Sequence, residues 1–300
     1  MEINDDSGIY LLDTDDPVDI RKDNVFKAVF TKENADAKKA LSKFISALIS
    51  KEVTIETILT NEPPIDNLRD RQIRFDINCR AGNGELLNIE MSFSPESYES
   101  VRLEFHAGKL FIGQDIKGKT KDYNDLKQAY QIAILANTPL FVNNDFLHVF
   151  EYYDPVRRVS LNGRTRIITL ELSKLGKIVE KPTEKMSVSE RWAAYLQYLT
   201  DKNKRSKINE ILKQEEGIAM ANKVLMKISR DEEERARLMR DEKIELDYQS
   251  GLSNARKQGI QQGIQQGIQQ GIKQGSNIER ERFLNLLNQG LSTEEIKQRL

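Results

Sequence analysis

Two neighbouring stretches of the chain alternate apolar and polar residues with the two-residue period of a half-buried strand. Ile73, Phe75, Ile77 and Cys79 alternate with Arg74, Asp76, Asn78 and Arg80, and Leu87, Ile89, Met91 and Phe93 alternate with Asn88, Glu90 and Ser92. The loop Gly82-Asn83-Gly84 lies between them, and its length sets the register of the predicted hairpin. A two-residue Asn83-Gly84 turn would place Asp76 opposite Met91 and mix the faces. A three-residue loop ending in glycine is a common hairpin connection. It places Phe75 opposite Met91, Ile77 opposite Ile89, and Asp76 opposite Glu90. Directly opposed residues have Cβ atoms roughly 5 Å apart, and like charges there repel. A divalent cation shared by the two carboxylates would relieve that repulsion. So would separate pairing with Arg74 or Arg80 on a solvent-facing sheet, and the hairpin alone leaves both readings open.

The same patterning predicts the surrounding elements. From Asp23, residues Val25, Phe26, Val29 and Phe30 share one helical face, and a second amphipathic helix spans 35–50 with Leu41, Phe44, Ile45, Leu48 and Ile49. Residues 53–59 read as a strand or connecting segment that Pro63-Pro64 ends. A helix is expected over 98–118, with Arg102, Phe105, His106 and Lys109 at helical spacing. Strands are expected at 130–135, 147–153 and 167–172, and a helix with the only tryptophan, Trp192, at 187–199. Strands interleaved with helices predict an α/β fold with a mixed central sheet.

Near residue 200 the composition shifts to charged, aromatic-poor helix. The expected organisation is an acidic segment over 1–22, a domain over 23–200, and an extended helical C-terminal tail over 201–300. Within the tail, Gly-Ile-Gln-Gln repeats begin at Gly259. A four-residue repeat advances about 40° per unit on an α-helix, so its isoleucines wind round the axis. Each glycine costs roughly 1 kcal/mol against alanine. Such a segment is a poor autonomous helix and is expected to order against a partner, which suggests a homo-oligomer. Ser292 and Glu295 have the spacing of a capping box.

Composition removes several classes of function. Charged residues make up 31% of the 300-residue chain, yet the formal net charge is only −1. Any nucleic-acid contact must therefore come from local patches, such as Arg69, Arg71 and Arg74, or Arg157, Arg158, Arg164 and Arg166. The single cysteine, Cys79, falls on an apolar strand face and reads as a packed thiol. The start MEINDDSGIY has neither a basic nor an apolar leader region, and no apolar run reaches membrane-spanning length. A cytoplasmic protein without membrane contact is expected. No Gly-rich phosphate loop points to another kind of phosphate-ester hydrolase.

Asp23-Asn24-Val25-Phe26-Lys27-Ala28-Val29-Phe30, then Phe75-Asp76-Ile77, then Asn88-Ile89-Glu90-Met91, then Arg102, resembles the PD-(D/E)xK nuclease superfamily. More narrowly, the chain resembles the recombination-promoting nuclease and putative transposase family, and the similarity runs through nearly its whole length. The resemblance implies a restriction-endonuclease-like fold and Mg²⁺- or Mn²⁺-dependent hydrolysis of DNA phosphodiesters, linked to recombination or mobile elements. By position, Asp76 and Glu90 would be metal ligands. Asp23 would be a third carboxylate or would orient the attacking water. Lys27 would hold a carboxylate or a phosphate, and Arg102 would hold a phosphate or brace Glu90. The superfamily carries Lys two residues after the second acid, and this family commonly carries Gln; here Ser92 stands there. Its hydroxyl lacks the charge of Lys and the reach of Gln. Activity would then be weakened, lost, or rescued by a basic residue from elsewhere, and Lys109, two turns beyond Arg102, is a candidate. The alternative is a catalytically degenerate relative acting as a DNA-binding or protein-interaction module. His106 and His148 read as structural.

Overall fold

Val25, Phe26, Val29 and Phe30 form the buried face of α1 (Asp23–Thr31) in the computed structural model, which describes residues 9–59, 76–95, 97–114 and 122–299. The chain continues through α2 (Ala35–Ile49), β1 (Ile55–Ile58), β2 (Ile77–Ala81), β3 (Leu86–Ser92), α3 (Glu99–Ile112) and β4 (Ala129–Leu135). Then follow β5 (Leu147–Phe150), a small hairpin of β6 (Tyr153–Asp154) and β7 (Val159–Ser160), and β8 (Thr165–Glu171). Helices α4 (Val188–Tyr198), α5 (Arg205–Gln214), α6 (Glu216–Arg230), α7 (Glu232–Asn288) and α8 (Thr293–Arg299) complete it. The residues expected at Pro63-Pro64, Arg69, Arg71, Ile73, Arg74 and Phe75 lie outside the described residues.

The central sheet has six strands in the order β1-β2-β3-β4-β8-β5. Strands β3, β4 and β8 run parallel to one another, while β1, β2 and β5 are antiparallel to their neighbours. This is a mixed, restriction-endonuclease-like α/β sheet. Ile77 pairs with Ile89 and Cys79 with Leu87, the register that the three-residue loop dictates. The loop closes with the Gly84 N–H donating to the Ala81 carbonyl at 2.8 Å and the Ala81 N–H to the Glu85 carbonyl at 2.9 Å. Gly84 sits at φ 85°, a left-handed conformation that glycine adopts without strain.

Leu87, Ile89 and Met91 face the main core, shared with α1, α2, α4, α5 and α6. The other face is covered as well. Leu103 of α3 packs with Ala133 and Leu135 of β4, so β3 is buried on both sides from Leu86 to Met91. The polar row Asn88 and Glu90, which alternation alone leaves facing solvent, therefore lies beneath α3. Cys79 is buried, and burial pushes its thiol up to about 12.

The first compact unit runs to Leu238. Helices α5 and α6, which composition assigns beyond a boundary at residue 200, bury Ile208, Ile211, Leu212, Ile218, Val224, Leu225 and Ile228 in the same core. Leu11, Val18 and Ile20 of the acidic N-terminal segment join it. At its centre Trp192 lies 5.0 Å from the Phe44 ring, and Phe44 lies 5.5 Å from Phe30. Gly217 lets α6 approach this cluster. A Cβ there would come 2.5 Å from Lys43 Cβ and 3.2 Å from Trp192 Cζ2. Gly217→Val is expected to destabilise the unit by about 1–3 kcal/mol through overpacking, read as a lowered thermal midpoint.

The second unit begins at Met239. Helix α7 continues through the Gly-Ile-Gln-Gln repeats with every residue from 251 to 282 exposed. It ends at Gly290, φ 83°, where the Leu291 N–H reaches the Leu286 carbonyl and the Gly290 N–H the Leu287 carbonyl. This is a Schellman stop. Ser292 then caps α8 as its spacing predicts, with the Ser292 N–H donating to Glu295 at 2.9 Å.

Candidate active site

Asp76 lies one residue before Ile77, so the hairpin register carried one step further sets it beside Glu90. Its Oδ2 accepts from the Met91 N–H at 3.3 Å. Asp23 opens α1, and Lys27 follows one turn later on the same side. The Lys27 ammonium reaches both carboxylates, at 2.7 Å from Asp23 Oδ2 and 2.9 Å from Asp76 Oδ1. Burial raises the Asp76 carboxyl to about 7, helped by the charges of Asp23 and Glu90 and opposed by Lys27. Burial works against the Lys27 ammonium too, but Asp76 and Asp23 outweigh it and hold that group above its ordinary value.

Glu90 is buried and is gripped from α3. His106 Nδ1 lies 2.5 Å from Glu90 Oε1, and a carboxylate there requires that nitrogen to donate. Asn88 Nδ2 donates to the same oxygen at 2.8 Å and is itself tied to Gln131 of β4. Arg102 Nη1 approaches Oε2 to 3.2 Å, without hydrogen-bond geometry. Arg102 is in turn held by buried Glu99, at 2.6 Å through Nη2 and 3.3 Å through Nε. Burial alone would raise the Glu90 carboxyl. His106, Arg102 and Asn88 together overcome it and hold the group below the usual carboxylate range. The surroundings of the two opposed carboxylates thus pull in opposite directions: the partners of Glu90 favour its charge, and burial disfavours that of Asp76.

The sequence signature of the PD-(D/E)XK nuclease family transposases matches residues 20–255, well over half of the chain. The chain belongs to this family. No curated protein and no solved structure matches it. For a PD-(D/E)XK nuclease family transposase, membership points to nuclease or transposase-like function on DNA, and PD-(D/E)XK nucleases are generally dependent on a divalent metal.

The donors present fit a hard cation of that kind. Among the described residues Glu90 Oε2 is buried without a hydrogen-bond donor, and Asp76, whose charge burial disfavours, is opposite Glu90 in the hairpin register. Both offer oxygen. Among the described residues no three Asp, Glu, His or Cys side chains form a ready cage. Two carboxylates, with water and substrate phosphate completing the shell, are the usual provision for Mg²⁺.

The structure brings together Asp23, Lys27, Asp76, Glu90 and Arg102. Ser92 ends β3 two residues beyond Glu90, on the same face by alternation and partly exposed. Lys109 does not join the group: it is exposed on α3 and makes no ion pair with Asp23, Asp76 or Glu90. Arg80 is exposed, and the partners of Glu90 come from α3. Of the second basic run, Arg157 is paired with Asp154 and Arg166 with Glu151, each at 3.2 Å. His106, Glu99 and Asn88 were not legible as site residues. The available signal was spacing: Glu99, Arg102 and His106 recur at three and four residues, one face of the helix that follows the acid-bearing strand. Among the described residues no helix is long and apolar enough to cross a membrane.

Proposed function

We propose that this protein is a Mg²⁺- or Mn²⁺-dependent DNA endonuclease acting in recombination or on mobile elements, with Asp76 and Glu90 as the metal ligands. The observation that carries the reading is the opposition of Asp76 and Glu90 across β2 and β3, with Lys27 against the first and Arg102 and His106 against the second. A divalent ion held there would supply Lewis-acid stabilisation of phosphodiester charge and make water more acidic. The protein's own groups do the rest. His106, Asn88 and Arg102 hold Glu90 in one orientation and keep it ionised. Glu99 fixes Arg102. Lys27, rather than Lys109, takes the place of the lysine that Ser92 replaces: it balances Asp76 and Asp23 and offers a positive charge to a phosphate oxygen. In this reading Asp23 would accept a proton or orient the attacking water, and the Ser92 hydroxyl would hydrogen-bond that water.

Nicking of supercoiled plasmid in Mg²⁺ or Mn²⁺, against an EDTA control, tests the reading; cleavage that ignores EDTA counts against it. The Ser92 substitution favours a second reading, a degenerate relative that binds DNA without cutting. Salt-dependent DNA binding with no cleavage in either metal would select that reading.

The domain organisation we propose gives the nuclease to the compact unit that ends at Leu238 and the helical tail beyond it to self-association. The exposed Ile260, Ile264, Ile268 and Ile272 and the glycine content support the tail assignment, because a solitary helix of that composition is marginal in water. Ile264→Asp with Ile268→Asp is expected to lower the mass seen by light scattering and the helical signal at 222 nm. An unchanged mass would argue against it.

A further inference from the structure

Beneath α3 the sheet carries a short row of buried amides. Asn78 of β2 stands beside Asn88 of β3, and Asn88 beside Gln131 of β4. Asn88 and Gln131 are fully buried. The row ends at Gln131, because its neighbour on β8 is Ile167 and the residues two places away along β4 are Ala129 and Ala133. The face beyond it is apolar, with Ala133, Leu135 and Ile167 gathered around Leu103 of α3. Among the described residues, Gln131 Nε2 and Asn88 Oδ1 are buried without a hydrogen-bond partner. Unpaired buried amide groups lower stability. Packing alone would therefore favour an aliphatic side chain at position 131, and the glutamine calls for another reason.

Its hydrogen bond supplies that reason. Asn88 Nδ2 donates to Glu90 Oε1 at 2.8 Å and to Gln131 Oε1 at 2.9 Å, so an acceptor flanks the amide nitrogen on either side. Reversing the Gln131 amide would set donor against donor. Reversing that of Asn88 would set its oxygen against the Glu90 carboxylate. His106 approaches the same Oε1, which leaves Oε2 as the Glu90 oxygen without a donor among the described residues. We propose that Gln131 is a positioning residue for the metal centre, a role that rests on the reading of Glu90 as a ligand. Acting through Asn88, it holds Oε1 in place and so selects Oε2 as the oxygen presented to a hard divalent cation. Partners that orient a ligand in this way are worth about 10–100-fold in metal affinity.

The test is calorimetric titration of the full chain with Mn²⁺ in the absence of DNA. Wild type should show a binding event that Glu90→Gln removes. Gln131→Met keeps the unbranched shape of the side chain and loses the accepting oxygen. It is expected to weaken that event by about 10–100-fold. The metal-free thermal midpoint should move little, since the unpaired Nε2 goes and an unpaired N–H on Asn88 appears. In an Asn88→Ala background the route to Glu90 is already cut, so Gln131→Met should weaken binding by no more than about twofold further. A Glu90-dependent event that Gln131→Met leaves intact would overturn the role of Gln131 alone. So would a full further loss in the Asn88→Ala background, or a lowered midpoint with unchanged affinity, the mark of a purely structural glutamine. Absence of any Glu90-dependent event in wild type would instead overturn the metal-ligand reading, and this role with it.

Discussion

Asp76→Asn and Glu90→Gln are each expected to reduce metal-dependent plasmid nicking by about 10³-fold, since one preorganised charge at a reacting phosphate is worth 10²–10³ or more. Their effects on stability should have opposite signs. The Asp76 carboxylate is buried near Asp23 and Glu90, and its folded-state value of about 7 lies above its ordinary 3.8. Removing that charge relieves the folded state, while Lys27 keeps Asp23 as a partner. Asp76→Asn should therefore raise the metal-free thermal midpoint at pH 8 by a few degrees. Glu90→Gln instead takes the anion away from His106 and Arg102. Leaving buried polar partners short costs about 1–3 kcal/mol. Matched losses of cleavage with opposite shifts in melting would separate a catalytic role from a folding defect. Full cleavage in either variant would exclude the pair as metal ligands.

Why this pair was legible, and its surroundings were not, follows from the range of the interactions. The register came from local rules: a period of two, and a loop whose length admits one apolar-to-apolar pairing. The buried faces of α1 and α2 follow from helical spacing in the same way. The polar row of β3 did not. Asn88 and Glu90 look solvent-facing by alternation, and only the packing of α3 reveals them as buried, with Glu90 held by His106, Arg102 and Asn88. Lys27 and Asp23 form an i,i+4 pair visible in sequence, but the Lys27–Asp76 contact spans the gap between α1 and β2 and depends on the fold. In α5 and α6, charged residues between Ile208, Ile211, Leu212, Val224 and Leu225 obscured faces that belong to the main core.

Lys27 gives the second large effect, and it couples charge to pH. The ammonium is one of the groups that lowers the Asp76 carboxyl, so Lys27→Met must raise that carboxyl further. A carboxylate has to lose its proton before it can hold a cation. Wild-type cleavage should therefore rise with pH through about 7 at subsaturating Mg²⁺, and the Lys27→Met profile should be displaced to higher pH. At pH 7 the variant should lose about 10²-fold, the scale of a charge-assisted contact. Lys27→Arg should restore part of the rate and return the profile towards wild type. Lys109→Ala should leave both unchanged, since that side chain is exposed and unpaired with the carboxylates. The metal-free chain supplies an independent check of the sign. Asp76 is harder to ionise folded than unfolded, so its contribution to stability is complete below about pH 4 and lost as pH rises through about 7. On the proposed reading, added Mg²⁺ would bind the ionised folded state and reverse that loss at high pH. A wild-type midpoint that rose over this window as much as that of Asp76→Asn would mean that Asp76 is ionised throughout, and that Lys27 neutralises the pair without any call for a cation.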